Sequence, residues 1–219
     1  MNQFLKEKFL LINDNIDCQY HTDDEMFHFF DSLKRIPKDI KGCIVECGSY
    51  KGGSTAKISL MAKLLNRKLV VFDSFEGLPK HNELPAQEDV FYEGAYSATL
   101  DEVKKNILNF GEIDICDFRK GWFKDTMKNF KESVVGIFLD VDLAYSTETC
   151  LRYLYPLMKI GGVLYSQDMW FNRVKKLFED ENFWREIGYI KPKFEYLPNV
   201  SNDKYLSDVS PKLMRLYRQ

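Results

Sequence analysis

Long apolar runs are missing from this chain of 219 residues. The longest reach five to seven residues, such as the six from Val134 to Leu139 with Gly136 inside them, whereas a helix crossing a bilayer needs about 20. No membrane span is expected. The first residues, MNQFLKEKFLLINDN, carry charges inside their apolar stretch and end in no small-residue cleavage site, so they do not read as a signal peptide. Net charge is nearly absent too: 31 basic and 33 acidic side chains leave −2, which draws the chain neither to nucleic acid nor to an anionic membrane. Histidine is scarce (His21, His28 and His81), and the five cysteines, Cys18, Cys43, Cys47, Cys116 and Cys150, contain no C-x-x-C pair. A zinc site would want these residue types close together. An odd set of isolated cysteines, three of them in strand-like runs, fits free thiols in a reducing compartment, and a cytoplasmic location is expected.

What remains is the composition of a globular protein, 45% hydrophobic and 29% charged, long enough for one three-layer domain over 1–219. There is no internal repeat and no low-complexity tract. From Gly42 onward, β-rich runs alternate with helical patterns: CIVEC (43–47), a helix over 54–65, KLVVFD (68–73), a helix near 100–109, IDICDF (113–118), a short helix from about Phe123, VVGIFLD (134–140), a helix ending near Met158, and GGVLYSQD (161–168). Strands separated by helical crossovers predict a doubly wound α/β core with a parallel sheet and helices on both faces. The ending differs. After one helix over WFNRVKKLFEDENFWREIG come two β-rich segments, near 189–197 and 211–219, with no helical pattern between them; they predict an antiparallel hairpin at the sheet edge. The first 40 residues have helical spacing of Phe4, Leu5, Phe9 and Ile12, then Met26, Phe27, Phe30 and Leu33. They read as a helical cap over the sheet edge or the mouth of a site, beside an α/β core over 41–219.

Two places carry chemistry. In an open α/β sheet, ligands bind beyond the carboxyl ends of the strands, and the first strand runs into GSYKGGST. Gly48, Gly52 and Gly53 allow a tight turn and close approach of backbone to a ligand; Ser54 reads as the helix N-cap, where hydroxyl and free amides can hold a carboxylate. The spacing is G-x-x-x-G-G, not the dinucleotide G-x-G-x-x-G, and no P-loop lysine follows. Asp73 ends the second strand, 25 residues after Gly48. Its carboxylate can accept from both hydroxyls of a ribose, or it can merely cap the loop SFEGLP. Together the loop and the acid point to an adenosine-containing ligand.

The second place is FLDVDLAYST followed by YSQDMW. Alternation points Asp140 and Asp142 the same way, and adjacent parallel strands bring Asp168 into the same cleft. Three crowded carboxylates repel one another unless a proton or cation intervenes, and a hard divalent ion such as Mg²⁺ would relieve them. They could instead be solvated helix caps.

VECGSYKGGS, FDSFEGLP, KGWFKDT, LDVDLAYST and GGVLYSQD, in that order over roughly residues 40–185, resemble the serial motifs of the macrocin O-methyltransferase (TylF/MycF-type) family. The resemblance implies a class I methyltransferase (Rossmann-like) fold, to which parallel strands plus a C-terminal hairpin conform. It also implies S-adenosylmethionine as cofactor, Mg²⁺, and methylation of a hydroxyl on a sugar or glycosylated small molecule. Carried over by motif, Glu46, Gly48, Ser49, Tyr50, Gly53 and Ser54 would line the methionine end of the cofactor. Asp73 and Ser74 would meet the ribose, and Gly121 with Trp122 the adenine, although Trp122 could equally be a core aromatic. Asp140 matches a metal ligand and Asp142 the general base. Where the family has two adjacent acids after the fifth strand, this chain has Gln167 and Asp168; as metal ligands, they would supply one charge fewer. The acceptor partner is then a small-molecule or glycan hydroxyl, and a homo-oligomer is compatible with the sequence. Two rivals stay open: a non-catalytic S-adenosylmethionine-binding or scaffold protein with a degenerate metal site, and an NAD-dependent oxidoreductase, which the glycine spacing disfavours.

Overall fold

The computed structural model describes residues 3–17, 21–82, 91–197 and 213–219. Seven strands form one mixed sheet: β1 (Cys43–Cys47), β2 (Leu69–Asp73), β3 (Cys116–Lys120), β4 (Val134–Leu139), β5 (Met158–Ser166), β6 (Phe194–Tyr196) and β7 (Met214–Tyr217), in the spatial order 3-2-1-4-5-7-6. The first five run parallel, and β7 is antiparallel to both β5 and β6. Every residue of β1 and β4 is buried. Largely apolar runs such as VVGIFL, and CIVEC apart from Glu46, therefore replace alternation, as a strand covered on both faces requires.

Among the described residues, eight helices provide the cover: α1 (Gln3–Asn15), α2 (Asp23–Arg35), α3 (Gly53–Leu64), α4 (Leu100–Phe110), α5 (Phe123–Thr126), α6 (Ala144–Leu154), α7 (Asn172–Glu179) and α8 (Glu181–Glu186). One face of the sheet, through Ile44, Val71, Phe138 and Tyr165, packs against α1 to α4. The other, through Val45, Val70, Ile137 and Leu164, packs against α6 to α8.

Three boundaries differ from the sequence reading, each for a local reason. A 3-10 turn over Ile113–Ile115 precedes β3, so that strand begins at Cys116. The helix after β4 stops at Leu154, because Pro156 in the next turn lacks an amide for the helical ladder. β5 consequently begins at Met158, ahead of its two glycines. The single C-terminal helix is two, broken at Asp180, whose carboxylate caps α8 by accepting from the Asn182 amide at 2.8 Å. The hairpin pairs as expected, with β7 inserted between β5 and the edge strand β6.

The N-terminal helices are more than a rim. α2 starts at a reciprocal capping box: Thr22 Oγ1 accepts from the Glu25 amide, and Glu25 Oε2 accepts from the Thr22 amide. Asp23, Asp24 and Glu25 in its first turn and Lys34 and Arg35 in its last complement the helix dipole. Its apolar face lies across the middle of the sheet, with the Phe29 ring 5.4 Å from Phe138 and 5.1 Å from Tyr165. Gly136 makes this approach possible: a Cβ there would stand 2.5 Å from Leu33 Cδ2. Gly136→Val should therefore overpack the α2–β4 contact and destabilise the fold by about 1–3 kcal/mol. Thermal unfolding checks this, and an unchanged Tm would mean that α2 does not rest on β4.

Candidate functional site

The carboxyl ends of β1, β2, β4 and β5 open onto a cleft of about 860 Å³, the scale of a small-molecule site. Its floor is set by a close backbone contact. Gly48, at φ +85°, leaves β1 so near the loop after β4 that a Cβ would lie 1.9 Å from the carbonyl oxygen of Asp140. Only glycine fits there. The turn that follows is held by Asp73: its Oδ2 accepts from the Ser49 amide at 2.6 Å and the Ser49 hydroxyl at 2.9 Å, while Oδ1 accepts from the Phe75 amide at 2.6 Å. Asp73 thus caps its loop and lines the cleft at once. Ser74 shapes the same loop, donating to the Gly77 carbonyl and accepting from the Glu76 amide.

Helix α3 begins at Gly53 with Gly52 as its N-cap, so no side-chain oxygen caps its first turn. Ser54 is inside that turn, a correction to its reading as the cap, and its hydroxyl donates to Glu46 Oε1 at 2.5 Å. Glu46 is fully buried beneath the loop and does not line the cleft. Burial pushes its carboxyl up to about 8; the Ser54 bond opposes this, and the nearby Asp73 and Asp140 charges reinforce it.

On the other side of the floor, carboxylate oxygens of Asp140, Asp142 and Asp168 lie within 4.8 Å of one another. Asp168 is buried, and its Oδ2 accepts from the amides of Val141 at 2.9 Å and Asp142 at 3.1 Å. That clamp holds a γ-turn in which Leu143 N donates to the Val141 carbonyl and Asp142 sits at φ +62°. A non-glycine residue there costs on the order of 1–3 kcal/mol and is found where surroundings over-determine it. Burial, then the charges of Asp140 and Asp142, raise the Asp168 carboxyl well above the usual range.

Gln167 departs from the sequence reading. Its Nε2 donates to Glu25 Oε2 on α2 at 3.0 Å, both residues being buried, and it does not line the cleft with the three acids. Alternation along a strand explains the separation: neighbours in sequence face opposite sides. The remaining residues singled out, Ser49, Tyr50, Gly53, Ser54, Ser74, Gly121 and Trp122, all line the cleft with the acids. Trp122 is 37% exposed there and is no core aromatic.

Sequence reasoning misses the rest of the wall. Leu78, Phe91 and Tyr96 come from the loop after β2, and Trp170 from just past Asp168. Tyr145 opens α6 and stacks on His81 at 4.6 Å. Proximity in sequence to Asp142 and Asp168 could have flagged Tyr145 and Trp170; the loop aromatics carry no periodic signal. His21, just ahead of α2, also lines the cleft. No helix among the described residues is long and apolar enough to cross a membrane.

Comparison with known proteins gives a consistent picture. The family model for macrocin-O-methyltransferase (TylF) matches residues 23–192. Demethyldecarbamoylnovobiocin O-methyltransferase of Streptomyces niveus is 30% identical over 146 residues, which cover 61% of this chain and 55% of the relative. The chain thus matches about half the length of that curated relative. Among solved structures, the O-methyltransferase NovP superposes with a TM-score of 0.69 at 21% identity, over 89% of this chain and 79% of its own. The calicheamicin methyltransferase CalS11 gives 0.66 at 15% identity, over 99% and 93%. At these identities the likeness is one of fold, the class I methyltransferase fold.

The buried Glu46 carboxyl yields a pH prediction. Its folded value is raised from about 4.5 to about 8, so its contribution to stability is complete below the unfolded value and is lost as pH rises through the folded one. The ligand-free protein should lose on the order of a few kcal/mol between pH 5 and 9, and Glu46→Gln should flatten that loss. Tm measured against pH decides; an equal slope in the variant would assign the loss elsewhere.

Proposed function

The chain belongs to the macrocin O-methyltransferase family, and from that premise we propose that it transfers the methyl group of S-adenosylmethionine to a hydroxyl of a sugar or glycosylated small molecule, with Mg²⁺ at the acid cluster. The observation that carries the proposal is one cleft holding both halves of the chemistry, the glycine turn with Asp73 on one side and the three converging carboxylates on the other. Two relatives support an oxygen acceptor: one is named a demethyldecarbamoylnovobiocin O-methyltransferase, and CalS11 is described as a TDP-rhamnose 3′-O-methyltransferase.

The residues fit such a donor. Gly48 lets backbone approach without a Cβ, Asp73 keeps one acceptor site on Oδ1 for a ribose hydroxyl beyond its three loop bonds, and the Trp122 face offers a flat surface to an adenine. They fit a hard cation as well: a buried carboxyl crowded by two others is the arrangement that a divalent charge relieves. Asp140 and Asp168 would hold it, without Gln167, and Asp142 stands beside them as the base. A bound Mg²⁺ would supply Lewis acidity, lowering the pKa of the acceptor hydroxyl and orienting it.

The steps fall to side chains of this chain. Asp142 takes the hydroxyl proton as general base, its carboxylate aimed into the cleft by the γ-turn. The acceptor oxygen then forms a bond to the methyl carbon as the carbon–sulfur bond breaks, and the sulfonium charge is discharged. Asp168 keeps Asp142 in place through its amide. Trp170, Tyr145 and Phe91 wall the cleft, where they would keep water from a bound donor and acceptor and limit their relative orientations.

Three measurements test this reading. Asp142→Asn should lower kcat by about 10²- to 10⁴-fold while leaving S-adenosylmethionine affinity unchanged; undiminished turnover would dismiss the base. Asp73→Ala should weaken S-adenosylmethionine binding by about 1.5–3 kcal/mol, read by calorimetry, and unaltered affinity in a folded variant would take Asp73 out of the site. EDTA should abolish turnover and Mg²⁺ restore it; full activity in EDTA would leave Asp142 acting alone.

A further inference from the structure

Among the described residues of the N-terminal segment, His21 lines the cleft. Asp17, just after α1, pairs with Lys51 of the glycine turn at 2.8 Å, and Asp23, the first residue of α2, pairs with the fully buried Lys57 of α3 at 2.7 Å. Lys57 lies one turn inside α3, so this pair holds the start of α2, with His21 and Thr22 just ahead of it, against the first turns of α3. His21, two residues before Asp23 and 9% exposed, lines the same cleft as Gly53 and Ser54.

Its position is fixed from behind by a partly buried polar chain. Asp23 also accepts from Asn13 Nδ2 at 3.1 and 3.2 Å, which joins α1 to the pair. Glu25 Oε2 accepts both the Thr22 amide, next in the chain to His21, and Gln167 Nε2 from the end of β5. The amide at 167 is therefore the donor that a buried Glu25 carboxylate needs. A second acid at 167 would set two carboxylates against each other where both side chains are buried, which is strongly unfavourable.

We infer that His21 binds the amino-acid end of the methyl donor, donating from its imidazole to the α-carboxylate at the side-chain-uncapped start of α3, and that the Glu25–Gln167 bond is what positions it. Imidazole N–H and first-turn amides are both donors, and a carboxylate is the acceptor that suits them together. On this account Gln167 serves the donor side of the cleft and not the cation side. The inference rests on the methyltransferase reading, and ligands that differ only in the amino-acid moiety separate the two.

The experiment is calorimetric titration in EDTA, so that no cation enters, with S-adenosylhomocysteine and with 5′-methylthioadenosine, which lacks the amino-acid end. His21→Ala should weaken S-adenosylhomocysteine about tenfold and leave methylthioadenosine within twofold. Gln167→Glu, which sets a carboxylate against Glu25, should reproduce that selective loss, and adding Glu25→Gln should restore affinity by exchanging donor and acceptor. Equal weakening of both ligands, or of neither, in His21→Ala overturns the inference, as does selective loss in Gln167→Glu that the second change fails to rescue. If Gln167→Glu does not fold, the His21→Ala pair decides alone. A wild-type protein that binds neither ligand would instead fail the methyltransferase reading itself, and this inference with it.

Discussion

One buried carboxylate organises the site. Asp168 Oδ2 accepts two successive amides, from Val141 and Asp142, and so ties the end of β5 to the loop after β4. Those bonds satisfy donors that a γ-turn leaves without ladder partners, and they hold Asp142 at a positive φ that it would otherwise leave. The same loop presents the Asp140 carbonyl against which Gly48 packs. Through that contact, the depth at which the glycine turn sits depends on where Asp168 places the neighbouring strand's loop. A single side chain thus sets the distance between the two halves of the cleft.

The arrangement has an electrostatic cost that the fold offsets rather than avoids. Glu46, Asp73, Asp140, Asp142 and Asp168 all cluster at the carboxyl ends of four adjacent strands. Glu46 and Asp168 are covered completely and have raised carboxyl values, because desolvation and like charges act in the same direction. Such clustering marks sites where a ligand or proton completes the charge balance. The scaffold that bears it is apolar on both faces of the sheet, with α1 to α4 on one side and α6 to α8 on the other.

Much of the fold was legible because buried parallel strands write themselves as short apolar runs between helical patterns, and CIVEC, LVVFD and VVGIFL are such runs. Chain ends of elements were less so. Pro156 stopped α6 early and Asp180 split the last helix, both through single-residue effects that a periodicity does not weigh. Most of the candidate site was legible for a related reason: in this topology the residues that follow each strand converge, so Gly48, Asp73, Asp140, Asp142 and Asp168 could be placed together from their order alone. His21 could not, since its route to the cleft runs through ion pairs from Asp17 to Lys51 and from Asp23 to Lys57 that no local pattern encodes.

By itself the sequence determined the class of sheet, the strand ends that carry the acids and the glycine turn, since all of these follow from local periodicity and from residue types that only certain backbones accept. The tertiary structure alone decided where each side chain points. Glu46 lies under the loop and not in the cleft, Ser54 turns its hydroxyl to Glu46 instead of capping α3, and Gln167 gives its amide to Glu25 across the sheet while its neighbour Asp168 faces the acids. Each of these is a choice between buried partners distant in the chain. Such choices are governed by which polar group would otherwise be left unsatisfied in a desolvated interior, and that is a property of the assembled packing.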